Sequence, residues 1–295
     1  MVSLAVGLAL LTSLAAPAGA AGAAKAPTPT STTQTFVDTS RQRTLPTTYW
    51  FVKARRPAPL PLLVFVHGYD QTPSDYHHLI TSWAQAGYLV AAPTFPRTGH
   101  GAPGGLDASD YRNEPADVTF VITQTFVLGA SAAGPLAGRV EPGRVEVVGH
   151  SLGAEVVLGL LNSCCRDPRL VAAVSLAGSE QFNPGVPAFP KAGYFADVTV
   201  PLLLVHGDAD AENPYDRSVT AYAGASPPKF FVTLKGVGHR APYENSPSSD
   251  PTARVVAKTT VDFLDAYVKG DGRALKRLAH DGNVANVASL QAASG

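Results

Sequence analysis

The chain has 295 residues, 45% of them hydrophobic, and its 23 Lys plus Arg balance its 23 Asp plus Glu. That length fits one α/β domain of about 230 residues with extra segments at its ends, and the apolar fraction is that of a globular protein with a sizeable core. The charge balance leaves no basic surplus for nucleic acid, and no polybasic run is present to hold an anionic membrane surface.

The apolar run at 4–16 is too short to span a bilayer. Ala18-Gly19-Ala20 follows it as an A-x-A cleavage pattern. Residues 1–24 therefore read as a secretory leader, one with a truncated n-region because no Lys or Arg precedes Lys25, and a secreted protein is expected. Residues 25–34, rich in Pro, Thr and Ser, read as a flexible leader; 35–270 reads as the folded domain and 271–295 as a small, polar tail with a short helix at 273–279. Within the domain, extended segments are expected at 35–38 and 47–52. The apolar runs at 62–66, 88–92, 145–148, 171–176, 202–205 and 230–234 have strand length and read as strands buried on both faces. Helices are expected at 77–86, stopped by Gly87, and at 116–128, 152–161 and 252–268, with a long Gly-rich loop over 97–115. Strands alternating with helices predict an α/β fold with a mostly parallel sheet and helices on both faces. Ligands of such sheets bind beyond the carboxyl ends of the strands.

The two cysteines, Cys164 and Cys165, are adjacent. Two buried or reduced thiols are expected, with a vicinal disulfide the alternative that export makes plausible. No Cys or His pair stands near them at ligand spacing, so no metal site is expected.

Gly149-His150-Ser151-Leu152-Gly153 matches G-x-S-x-G. By chance this pattern is common in a Gly-rich chain, but here an apolar strand precedes it and an Ala/Val/Leu helix follows. That context exposes Ser151 on a sharp turn as a nucleophile needing a base. Two carboxylates, Asp208 and Asp210, follow the strand at 202–205, and His239 follows the strand at 230–234 on a Gly-flanked loop where a base can reach Ser151. His67 and His206 precede strand-end glycines and read as hydrogen-bonded scaffolding. His150, the variable residue of the motif, is expected to line the pocket. For an oxyanion, the backbone N–H of Leu152 is one donor, and that of Tyr69, after the strand at 62–66, is the second.

These residues, with His67-Gly68, His206-Gly207-Asp208-Ala209-Asp210 and Gly238-His239, resemble the α/β-hydrolase superfamily over roughly 47–268. The chain is similar to the branch without a large cap domain that holds chlorophyllases, platelet-activating-factor acetylhydrolases, dienelactone hydrolases and cutinase-type polyester hydrolases. The resemblance implies a Ser-His-Asp triad hydrolysing carboxylic esters through an acyl-enzyme, with no cofactor and with a small-molecule or lipid ester as substrate. It also implies Asp210 rather than Asp208 as the acid, because the acid usually falls three positions after the strand-end glycine. Tyr69 is similar to the oxyanion tyrosine of the polyester hydrolases, and Arg112 and Asp117 look like a structural pair of that branch. Leu152 and Ala154 depart from the usual Gly-x-Ser-Met-Gly-Gly, and the disulfide near the acid or C-terminus has no counterpart. The segment 180–195 reads as a Pro- and Phe-rich loop over the cleft, with Phe182, Phe189 and Phe195 as candidate substrate contacts. A monomer without stable membrane insertion is expected. An acyltransferase or an amidase/peptidase could use the same triad, and a non-catalytic binding module should lack one of its members.

Overall fold

The computed structural model describes residues 26–294 apart from 57, 163, 180–194 and 196–197. The expected leader at 1–24 and the expected substrate contacts Phe182 and Phe189 lie outside the described residues. Among the described residues, nine strands form one sheet: β1 (Thr30–Asp38), β2 (Arg43–Phe51), β3 (Leu60–Val66), β4 (Leu89–Pro93), β5 (Val140–His150), β6 (Leu170–Leu176), β7 (Leu202–Gly207), β8 (Lys229–Leu234) and β9 (Ala288–Ala293). Their order is β1-β2-β4-β3-β5-β6-β7-β8-β9. Pairing is parallel from β4 through β8 and antiparallel at β1–β2, β2–β4 and β8–β9. This is the expected α/β architecture, with a mostly parallel sheet.

The central strands are the apolar runs of the sequence. Six of the seven β3 residues are buried, which is what a strand covered by helices on both faces requires. The helices are α1 (His77–Gln85), α2 (Glu114–Ala130), α3 (Leu152–Leu160), α4 (Tyr215–Gly224), α5 (Pro251–Tyr267) and α6 (Ala274–Asp281). Alternate sheet residues feed two cores. Val64, Val66, Val145 and Val147 pack with Val118, Ile122, Val156 and Ala221 of α2, α3 and α4. Leu63, Phe65, Val148 and Val174 pack on the other face with Leu79, Trp83, Val256 and Phe263 of α1 and α5. Along the chain, β3 is followed outward by β4 on one side and later by β5 on the other. The carboxyl ends of β3 and β5 therefore flank a reversal of strand order, where open α/β sheets bind ligands.

The sheet extends past the span 35–270 at both ends. The Ser/Thr-rich stretch expected to be a leader supplies the start of β1, which pairs with β2 from Thr30 onward. Residues read as a tail supply α6, with Leu278 buried, and β9, which pairs antiparallel with β8. Neither edge strand carries a long apolar run, because an edge is held chiefly by its backbone ladder.

Asp117, expected to pair with Arg112, is instead held by Arg43 and Arg41. Arg43 lies on β2 and spans Asp117 of α2 and Asp110, which it meets through both guanidinium nitrogens at 2.9 and 2.8 Å. The guanidinium sits between two buried carboxylates from a later segment, a geometry suited to its planar fork. The thiol expectation is likewise replaced: Cys164 and Cys165 are disulfide-bonded to each other.

Glu146 on β5 is fully buried, and neither carboxyl oxygen has a hydrogen-bond partner. Burial holds its pKa well above the ordinary 4.5. Below that ordinary value both folded and unfolded chains are protonated. As pH rises through it, the unfolded chain releases the proton while the folded chain retains it, so stability falls. Glu146→Gln should therefore raise Tm relative to the parent at pH 8 and change the difference little at pH 4. Thermal unfolding at the two pH values checks this, and equal differences would contradict it.

Candidate active site

Ser151 occupies the turn between β5 and α3 with φ 54° and ψ −121°. A non-glycine residue adopts this conformation only where its surroundings enforce it. Here the enforcement is close approach. A Cβ on Gly149 would overlap the Gly153 carbonyl, and one on Gly153 would overlap the Val66 carbonyl of β3. The two motif glycines let the strand, the turn and the first turn of α3 cross this tightly.

His239 reaches the turn from the loop after β8. Its Nε2 lies 2.7 Å from Ser151 Oγ and its Nδ1 lies 2.7 Å from Asp210 Oδ2. With Nδ1–H donating to the carboxylate, Nε2 is left to accept from the serine hydroxyl. Asp210 is held in the loop after β7. Its Oδ1 accepts the backbone N–H groups of Glu212 and Asn213 at 2.9 and 2.8 Å. Its Oδ2 accepts His239 and, at 2.9 Å, His206 Nε2. Burial opposes ionisation of Asp210, but hydrogen bonds from His206, His239 and the Asn213 N–H outweigh it and hold the carboxyl well below the usual range. Asp208 does not touch His239. It accepts the Gly236 N–H at 2.6 Å and so ties down the loop that carries the histidine.

Tyr69 and Leu152 line the same cleft as Ser151 and His239, a space of about 150 Å³ whose walls also include Gln71, Glu212, Asn213 and Arg240. The Tyr69 loop is pinned from behind. Asp70, at φ 56°, donates its N–H to Thr98 O at 2.8 Å, and His100 N–H donates to Gln71 O at 3.1 Å. Thr98 in turn donates its hydroxyl to Glu114 at the start of α2. Burial pushes the Glu114 carboxyl up to about 8.

His150 does not line the cleft. It is fully buried and lies beneath the turn. Tyr76 donates its hydroxyl to His150 Nδ1 at 2.8 Å, and His150 Nε2–H donates to the His239 carbonyl at 3.1 Å. Tyr76 also accepts the Gly68 N–H at 3.1 Å. Burial pushes the His150 pKa well down, in keeping with a ring that carries one proton between these two bonds. β5 is buried at every position from Val145 to His150, so the ring stays beneath the turn while the neighbouring Ser151 opens on the cleft. His67 does act as scaffolding, accepting the Phe95 N–H at 3.1 Å and donating to Gly68 O at 2.8 Å. His206 has a further contact, the carboxylate of Asp210, and its spacing of four residues before that aspartate is the one signal in the sequence that could have suggested it.

Among the described residues, no group of three or more His, Cys, Asp or Glu side chains is arranged to hold a metal ion, and no helix is long and apolar enough to cross a membrane.

No family model matches the chain. It is 25% identical over 147 residues to "Esterase YjfP" of Escherichia coli (strain K12), covering 50% of this chain and 57% of the relative. It is 27% identical over 145 residues to "Cutinase 1" of Thermobifida cellulosilytica, covering 48% of each, and equally to a cutinase of Thermobifida fusca (strain YX), covering 42% of that protein. The chain thus spans about half the length of the relatives it matches. Its fold is the α/β-hydrolase fold. Within that class it is related to esterases and cutinases.

The two carboxylates after β7 separate by experiment. Any activity that runs through Ser151 and His239 should fall about 10⁴-fold at neutral pH in Asp210→Asn, which leaves the imidazole in the wrong tautomer. Asp208→Asn should lower Tm and keep turnover per folded molecule near that of the parent. Active-site titration combined with thermal melts distinguishes them, and the reverse pattern would move the role to Asp208.

Proposed function

We propose that the chain is a serine hydrolase that cleaves carboxylic esters through an acyl-enzyme. The observation that carries this reading is the unbroken hydrogen-bonded series Asp210–His239–Ser151, ending on a hydroxyl held at a strained turn. Ser151 Oγ attacks the ester carbonyl as His239 Nε2 takes its proton. The carbonyl π electrons move onto oxygen, and the backbone N–H groups of Leu152 and Tyr69 stabilise that oxyanion. Collapse breaks the bond to the alcohol oxygen, which receives the proton from His239. Water then attacks the acyl group, giving one proton to His239, and the second collapse returns it to Ser151. Asp210 stays ionised and holds the ring in the tautomer both halves need. No step calls on a metal or an organic cofactor.

The relatives named esterase and cutinase favour esters over amides as the substrate class. A small-molecule or lipid ester, a monomeric protein and export to an oxidising compartment complete the proposal. The last is supported by the A-x-A pattern at Ala18-Gly19-Ala20 and by the Cys164–Cys165 bond, since disulfides persist where glutathione does not reduce them.

A fluorophosphonate probe and a p-nitrophenyl ester test the proposal together, with an anilide of the same acyl group as the comparison. The parent should label once, cleave the ester and leave the anilide nearly untouched. Ser151→Ala should keep the parent's circular dichroism, lose labelling and lose turnover by about 10⁶-fold, as removal of such a serine does. Retained labelling in that variant would overturn the assignment of Ser151.

A further inference from the structure

Asp210 carries a second histidine besides His239, and the protons around it can be counted. His206 ends β7 with its ring fully buried. On one side, Nε2 faces two oxygens that can only accept: Asp210 Oδ2 at 2.9 Å and the Asn213 carbonyl at 3.0 Å. On the other side, Nδ1 lies 2.6 Å from Ser218 Oγ of α4, and that hydroxyl lies 2.6 Å from the Gly178 carbonyl.

A hydroxyl has one proton to give, and the carbonyl can only accept it. Ser218 therefore donates to Gly178 and accepts from His206 Nδ1–H. A neutral ring cannot satisfy this set. With its proton on Nδ1, the bare Nε2 would face a carboxylate and a carbonyl at hydrogen-bond distance. With its proton on Nε2, Nδ1 would take the serine proton and leave two oxygen lone pairs facing each other between Ser218 and Gly178. The same count applied to His150 gives the opposite answer. Its Nδ1 meets a phenol that can donate and its Nε2 a carbonyl, so one ring proton suffices.

We propose that His206 stands on Asp210 as an imidazolium, donating from both nitrogens, and that it is a positioning residue that keeps the acid ionised and aimed at His239. This rests on the reading of Ser151, His239 and Asp210 as the reacting series. With His206 in place, Asp210 accepts two ring N–H groups on Oδ2 and two backbone N–H groups on Oδ1, so all its lone-pair directions are used. The carboxylate can neither rotate nor take a proton from His239.

A fixed cation beside the acid also opposes the second positive charge that forms on His239 when it takes the serine proton. The groups that face His206 are Asp210 and the Asn213 carbonyl from the loop after β7, and Ser218 and the edge-on ring of Tyr215 from α4. His239 lies across Asp210 on the loop after β8. Asp210 is thus the ionised partner to which both histidines are hydrogen-bonded. Removing the cation leaves that carboxylate wholly to His239, which then holds its proton to higher pH. The acid limb of kcat/KM should move upward in pH.

The direct test is ¹⁵N–¹H correlation of the histidine rings in the full chain at the pH of maximal activity, with His206 assigned by the signals lost in His206→Gln. Both nitrogens of His206 should resonate as protonated and give two ring N–H protons protected from exchange. One bare ring nitrogen would overturn the proposal. The kinetic test compares two variants. His206→Gln retains an uncharged donor toward Asp210 and should lose less of kcat than His206→Leu, while the acid limb moves up. His206→Leu should show the same shift and lose about 10- to 100-fold in kcat at nearly constant KM, the size found for hydrogen-bond partners of metal-ligating histidines and carboxylates. An acid limb that stays in place in His206→Gln would also overturn the proposal, because a purely structural residue moves stability and not that limb. The spectrum is read on the parent chain and needs neither variant to be active. A fluorophosphonate that labels Ser151 beside a neutral His206 sinks this inference alone. A label that misses Ser151 sinks the reacting series and the role given to His206 with it.

Discussion

The Gly153 backbone passes so close to the Val66 carbonyl of β3 that no side chain fits between them. That approach forces the turn at Ser151 into a conformation with positive φ, lifts the serine hydroxyl above the sheet and starts α3 directly beneath it. It also places the loop after β3, with Tyr69, beside the first N–H of α3. The reversal of strand order at β3 and β5 is what brings these two loops together, and β7 and β8 then deliver Asp210 and His239 from the other side. Each of these side chains lies at the carboxyl end of a parallel strand, which is why four separate stretches of chain converge on one cleft.

Buried polar groups set the distances between those loops. Tyr76 and His150 join the Gly68 N–H to the His239 carbonyl, so the loop of Tyr69, the serine turn and the histidine loop share one hydrogen-bonded series beneath the cleft. Thr98 links the Tyr69 loop to Glu114 of α2, and Asn213 links the aspartate loop to Ala177 beyond β6 at 2.7 Å. Low dielectric makes such bonds strong when complete and costly when broken. Glu146, within β5, is among the buried groups that break this rule, a carboxyl whose two oxygens have no hydrogen-bond partner.

Much of this was legible in the sequence because it is local. The buried strands are continuous apolar runs, and Ser151, Leu152, Tyr69 and His239 sit at strand ends within motifs only a few residues long. What sequence reading missed depends on partners far along the chain. Arg43 meets carboxylates from a later segment, and nothing near Asp117 announces it as the partner in place of Arg112. His150 neighbours the serine in sequence, yet its ring is buried beneath the turn, hydrogen-bonded to Tyr76 and to the His239 carbonyl. His206 is the hydrogen-bonded scaffolding its place before a strand-end glycine suggests, but its bond to Asp210 forms only when the loop after β7 folds back upon it. The edge strands β1 and β9 gave no hydrophobic signal, since TSTTQTFVD and ASLQAA pair chiefly through their backbones.

Under the proposed reaction, Ser151, the two N–H groups of Tyr69 and Leu152, and His239 form one acyl-transfer site. A crystal structure of the chain after reaction with a short-chain alkyl phosphonate tests it most directly, because the tetrahedral phosphorus stands in for the reacting carbon. Phosphorus should be bonded to Ser151 Oγ, with one phosphoryl oxygen about 2.7–3.1 Å from both N–H groups and His239 turned toward the site of the departed group. An adduct on another residue, or a phosphoryl oxygen pointing to solvent away from Tyr69 and Leu152, would contradict it.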